Sequence, residues 1–210
     1  MRYYRRNYRG IPIHDPSLRD IGTVTFWLLA ANIAVFLLDD FLFHGDLMAA
    51  GGLYYPAVES GERYRLLTAA FLHSGITHIG YNMISLFVLG FALEEAMGHV
   101  RFAAVYLAAA VLGNRFVLFV EQMRGVHHFT VGASGAIFGL MGAWLAISLN
   151  RHDGMRGLPI GRLIVSCVLM FLPGFNDPSI SMSGHLGGFI FGFLAALIIG
   201  FLFPVRGGYD

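Results

Sequence analysis

The chain has 210 residues, of which 56% are hydrophobic and only 13% charged, whereas a soluble domain carries about 25% charged residues. Together with a mean hydropathy of +0.64, its long uncharged runs exclude an ordinary soluble domain and place the chain among integral membrane proteins. A net charge of +1 makes no electrostatic case for a nucleic-acid partner, and the single cysteine, Cys167, excludes an internal disulfide and reads as a small core residue.

Residues 1–20 read as a cytoplasmic tail that carries Arg2, Arg5, Arg6, Arg9 and Arg19. The first apolar run, 21–38, is too long for a cleavable signal and lacks a clear small-residue cleavage site, so it is expected to stay as a span. The connection 39–75 is too apolar in its middle ("LMAAGGLYYPAV") for a plain solvated loop and is expected to lie in the outer interface. Further spans are predicted at 76–93, at 102–120 (interrupted by Arg115), at 131–149, at 158–175 (interrupted by Arg162) and at 180–203. Each approaches the ~20 residues that cross a bilayer as a helix. Residues 204–210 form a second cytoplasmic tail, which leaves 21–203 as one six-span domain without an added soluble unit, a repeat or a low-complexity tract.

Arginine placement sets the orientation. With the N-terminus cytoplasmic, the inner segments hold the five tail arginines, Arg101, Arg151, Arg156 and Arg206, with Arg162 at an inner helix end. The outer segments hold only Arg63, Arg65 and Arg124, as the positive-inside rule requires. The expected location is the inner membrane of a bacterium.

That orientation brings the intramembrane polar residues to one level. His78 and Asn82 are four apart, hence on one face in the outer half of the second span. Ser134 stands at the outer end of the fourth span and His185 near the outer end of the sixth. The fourth span is short: from Ser134 to Leu149 a helix rises only ~24 Å, so Ser134 is expected to sit below the outer surface, in a wet, protein-lined dip. Gly135 and Gly139 on the fourth span, and Gly184, Gly188 and Gly192 on the sixth, allow close backbone approach that carries Ser134 towards His185. A serine with a histidine in reach is an activated nucleophile with its general base. Backbone N–H groups around Gly132–Ser134, with the side chains of Asn82 and His78, are placed to donate to a developing oxyanion. No carboxylate lies in a span at this depth, so the arrangement is a dyad, and Phe138, one turn after Ser134, is expected to pack on the imidazole.

Singly, each of these residues has an ordinary role: Ser134 as a helix cap, His78 and Asn82 as interhelical hydrogen-bonding groups, His185 as a satisfied core histidine. Four together at one depth favour a site. His73 sits at the water boundary and reads as solvated, His127 and His128 as a solvated loop rather than a metal site, and Glu94 and Glu95 as solvated charges at the inner face. Arg115 is left between a salt bridge with Glu121 and a polar cavity or water path. No zinc-binding HExxH helix and no pair of intramembrane aspartates is present, and neither a metal nor another cofactor is expected.

The motifs "GASG" around Ser134, "GHLGG" around His185, "HSGITHIGYN" with His73, His78 and Asn82, and "ERYRLLTAAFLHSG" in the first outer loop resemble the rhomboid family of intramembrane serine proteases. The resemblance covers nearly the whole chain after the tail. It implies an all-α membrane protein with a rhomboid-type six-helix bundle that cuts a peptide bond of single-span membrane proteins near the outer face. Membrane lipid and those substrates are its implied partners; oligomeric state is left open. Carried over, Ser134 is the nucleophile, His185 the base, and His78 and Asn82 the oxyanion partners, with Gly132, Gly135 and Phe138 supporting. The family's substrate gate would involve the fifth span and the capping loop "GFNDPSISM". The chain departs from the family pattern at Tyr64 (for Trp, before Arg65), Phe138 (often Tyr), Gly184 (often Ala) and the polar pair Asn114–Arg115. Two rivals are a catalytically inactive rhomboid-like protein that binds membrane clients, and a small transporter; the latter predicts polar groups running on to the inner leaflet, where Arg115 alone stands apart.

Overall fold

A computed structural model describes residues 22–150, 161 and 180–202. The expected fifth span, both tails, Cys167 and most of the capping loop lie outside the described residues. Among the described residues, four helical segments are long and apolar enough to cross a membrane: Thr23–Phe43, Ile76–Met97, His99–Arg124 and Met182–Gly200.

Helix α1 (Thr23–Leu38) continues through a π-helical turn, Asp39–Phe43. Its start is held by a distant carboxylate. Glu94 accepts from Val24 N–H and Thr25 N–H, both at 2.8 Å, and from Thr25 Oγ1 at 2.6 Å, and it also pairs with His99 Nδ1. The first N–H groups of a helix have no partner within it, so a buried carboxylate satisfies them. Glu94 is only 2% exposed; the expectation of a solvated charge at the end of the second span is therefore corrected. Phe26, Trp27, Ile33 and Leu37 of α1 face outward, as a lipid-facing helix requires.

The connection after α1 folds into three short helices, α2 (Asp46–Gly51), α3 (Tyr55–Glu59) and α4 (Arg65–Thr68), and a 3₁₀ turn, Ala69–Phe71. Asp39 accepts from the N–H groups of Leu47 and Met48 at the start of α2. Arg65 is buried and cross-links the loop: Nη1 donates to Ala49 O and Gly52 O at 2.9 and 2.8 Å, and Nε to Glu62 at 2.7 Å. The guanidinium holds the Glu62 carboxyl below its ordinary range. Leu53, fully buried, trades two backbone hydrogen bonds with Thr130, which ties this loop to the segment that leads to Ser134. Asn114 Nδ2 donates to Leu66 O at 2.9 Å, so one member of the unexpected polar pair anchors the loop on the third span.

Helices α5 (Ile76–Met97) and α6 (His99–Arg124) are separated only by Gly98, whose φ of 82° suits a residue without Cβ. Both contact the short α7 (Ser134–Asn150), and α8 (Met182–Leu202) packs against α7 and α6 together. The shortest of these four helices is the most central: Ala136, Ile137, Phe138, Leu140, Met141, Ala143 and Ala146 are all buried. Glycine sets the α7–α8 spacing. A Cβ on Gly188 would lie 1.9 Å from Gly135 O, and one on Gly192 2.1 Å from Gly139 O. Close approach of this kind replaces the hydrophobic drive that lipid cannot supply.

Arg115 is exposed on α6 and does not pair with Glu121. Glu121 is buried and accepts instead from His128, from the backbone N–H at 3.0 Å, with Nδ1 at 3.3 Å. His127 stacks on Tyr55 with ring centroids 4.6 Å apart.

Candidate active site

Ser134 is the first residue of α7, and His185 lies in the first turn of α8. The approach of Gly135 to Gly188 brings these helix starts together, and His185 Nε2 stands 3.0 Å from Ser134 Oγ. Both residues are half-buried. The Phe138 ring stacks on the imidazole of His185, with centroids 4.0 Å apart and planes 15° from parallel. His185 Nδ1 is buried without a hydrogen-bond partner among the described residues, so this face-to-face contact fixes the ring where a triad would use a carboxylate.

His78 and Asn82, one turn apart on α5, reach the same place from the other side. Gly132 has φ 128°, a backbone conformation that L side chains rarely adopt, and a Cβ there would lie 2.8 Å from His78 Nε2 and 3.7 Å from Asn82 Nδ2. The glycine thus lets the chain turn into α7 directly beside both side chains. His78 is oriented through Nδ1, 3.1 Å from Ser74 Oγ. Asn82 Nδ2 is buried with no hydrogen-bond partner among the described residues, an unspent donor beside Gly132.

The turn itself is pinned twice. Gly132 N–H donates to Ala69 O at 2.9 Å, and Ala133 N–H to His73 Nε2 at a long 3.5 Å, so these two N–H groups hold the turn, which corrects their expected role as oxyanion donors. His73 is 4% exposed, which corrects its reading as solvated; burial pushes its pKa down to about 4 and the neighbouring His78 adds to this. The neutral ring is the form that can accept from Ala133. Position at the end of an apolar run suggested water; the acceptor role depends on a contact 60 residues away in sequence. The structure thus brings together Ser134, His185, His78, Asn82, Gly132, Gly135 and Phe138, and adds His73.

A hydroxyl in hydrogen-bond reach of an oriented imidazole, with the unpaired amide donor of Asn82 close by, has the parts for nucleophilic acyl transfer. Comparison with known proteins points the same way. Residues 60–201 match the Rhomboid domain family. The chain is 37% identical over 186 residues to rhomboid protease GluP of Bacillus subtilis, covering 85% of this chain and 35% of that protein. It is 37% identical over 146 residues to YdcA of the same bacterium, covering 69% and 71%. It is also 34% identical over 145 residues to Inactive RHOMBOID-like protein 8 of Arabidopsis thaliana, covering 67% and 39%. The chain therefore spans about a third of the length of GluP and most of YdcA.

Proposed function

The chain belongs to the rhomboid family, and from that premise we propose that it is an intramembrane serine endopeptidase working through a Ser134–His185 dyad. The observation that carries the reading is the 3.0 Å contact between Ser134 Oγ and His185 Nε2, with the imidazole held by Phe138.

In the proposed reaction His185 Nε2 takes the Ser134 proton as Oγ attacks the scissile carbonyl carbon, and returns it to the leaving amine. Asn82 Nδ2, His78 Nε2 and the N–H groups at the start of α7 donate to the oxygen that gains charge. The acyl-enzyme is then opened by a water that His185 deprotonates, and the same donors serve the second tetrahedral intermediate. Helix α7 is too short for a full crossing and starts with Ser134; this supports a site sunk below the membrane surface, where water and a membrane-embedded peptide bond meet.

The domain is six-span over 21–203, with its fifth span at 158–175, flanked by cytoplasmic tails at 1–20 and 204–210. It sits in a bacterial inner membrane with the site towards the outer face. Its substrates are single-span proteins, admitted past the fifth span and the capping loop.

Inactive relatives exist in the family, so an inactive client-binding protein is the rival. The paired Ser134 and His185 favour an enzyme. A fluorophosphonate probe is expected to label the purified protein at Ser134, and Ser134→Ala and His185→Ala are expected to abolish labelling. Equal labelling of His185→Ala and wild type would remove the dyad from the reading.

A further inference from the structure

Arg115 takes no part in the site, yet it stands well inside a membrane-spanning helix. On α6 it shares one face with Leu112, Phe116 and Phe119, at the i, i+3, i+4, i+7 spacing of a single stripe. With Phe191 of α8 these residues line an open surface cavity of about 270 Å³. The trough is aromatic: Phe116 meets Phe191 edge-on and lies beside Phe119, both with centroids 6.4 Å apart. Leu112 and Phe119 are exposed, as residues facing lipid are. Arg115 is exposed as well and has no acidic or hydrogen-bonding partner among the described residues; the nearest acid along the helix, Glu121, is engaged by His128.

A guanidinium facing hydrocarbon is costly unless an anion comes to it. Helix α6 has 26 residues. At ~1.5 Å per residue it is longer than the hydrocarbon core, and Arg115 lies ~14 Å below Arg124 at its end. That end is on the membrane side of Ser134, which follows it by a short loop. A long side chain from this depth meets a headgroup drawn inward. The planar fork of arginine matches a phosphodiester in two parallel hydrogen bonds. The stripe is Leu, Arg, Phe and Phe, without the small residues that let a second helix approach closely, whereas a trough of this shape and chemistry takes an acyl chain.

We propose that Arg115 and the Phe116–Phe119–Phe191 trough form a binding site for an anionic phospholipid, with its phosphate on the guanidinium and an acyl chain along the aromatic rings. The site does not depend on the proteolytic reading, and its test does not use activity. Delipidated protein in detergent, given equal dioleoyl-phosphatidylglycerol and dioleoyl-phosphatidylcholine, is expected to retain phosphatidylglycerol preferentially by native mass spectrometry. Arg115→Leu, an apolar change on a lipid-facing surface, is expected to lose about tenfold of that retention, as for one charge-assisted contact. Arg115→Lys keeps much of it, and Phe191→Ala weakens retention of both lipids, with an unchanged melting temperature showing that each variant is folded. Equal phosphatidylglycerol retention by Arg115→Leu, or no preference in the wild type, overturns the proposal. Phe119→p-benzoylphenylalanine, irradiated in vesicles of both lipids and in native membranes, is expected to yield lipid adducts; adducts to protein alone identify a partner helix instead and overturn it.

Discussion

Substituting Gly188 by alanine tests the helix contact that aligns Ser134 and His185, the proposed dyad. The added Cβ would lie 1.9 Å from Gly135 O and 2.7 Å from its carbonyl carbon, both backbone atoms that no rotamer change can move. Ordinary contact begins at 3.4 Å, so α7 and α8 must part by roughly 1.5 Å at this level in a tightly packed interface. Gly135 follows Ser134 directly, and Gly188 lies one turn from His185, so the displacement reaches a hydrogen bond now 3.0 Å long. Overpacking of this kind costs about 1–3 kcal/mol in stability, and a misplacement of ~1 Å at the reacting groups costs on the order of 10²-fold in rate. The assay is steady-state cleavage of a fluorogenic membrane substrate in proteoliposomes, paired with thermal unfolding in detergent. Two internal comparisons sharpen it. A Cβ on Gly135 meets nothing nearer than Gly184 O at 3.4 Å, and one on Gly200 meets nothing within 4 Å. Gly135→Ala and Gly200→Ala should therefore stay close to wild type, although Gly135 belongs to the same interface. If Gly188→Ala cleaves within twofold of wild type with an unchanged melting temperature, the reasoning from helix spacing to catalysis fails.

Three further outcomes follow from single contacts. Phe138→Ala removes the ring stacked on His185 and is expected to slow fluorophosphonate labelling of Ser134 by about 2–10-fold, the worth of an aromatic pair, while Phe138→Tyr preserves the rate. Glu94→Ala leaves the first N–H groups of α1 unpaired and should cost about 3 kcal/mol in mixed-micelle unfolding; Glu94→Gln, which keeps an acceptor, should cost less. His73 has its pKa lowered from 6.5 to about 4 by burial, so the folded state resists a proton that the unfolded state accepts. Stability should be level in this respect above about pH 6.5 and fall by up to about 3 kcal/mol as pH drops towards 4; His73→Asn should flatten that slope in melting curves.

Much of the site is legible in the sequence because helix periodicity is a strong local signal. The four-residue spacing of His78 and Asn82 predicts one face, and α5 begins at Ile76, where the apolar run does. The shortness of the fourth span predicts a serine at the end of a short helix, and α7 begins at Ser134. The glycine stripes predict a close pair of helices, and Gly135–Gly188 and Gly139–Gly192 form it. Pairings between distant segments are a different matter. A Cβ on Gly113 would lie 3.0 Å from Gly188 N, so α6 joins the same close junction, which the periodicity of two helices cannot disclose. Glu94 and His73 stand at span ends, where hydropathy assigns polar groups to water; each instead serves a backbone N–H far along the chain. Arg115 reads as a break in a span because charge in lipid looks like an interior feature, while the structure turns it outward. The contact between Leu53 and Thr130, which anchors the turn before Ser134, carries no sequence signature at all.

The central claim is that Ser134, activated by His185, cuts a peptide bond presented from the membrane. Its most direct test is cleavage of a purified single-span reporter co-reconstituted with the protein in liposomes, with the cut site read by mass spectrometry. Wild type is predicted to release a defined fragment cut in or beside the transmembrane segment, and Ser134→Ala and His185→Ala to release none above background. A Ser134→Ala protein that produces the same fragment at the wild-type rate would contradict the account.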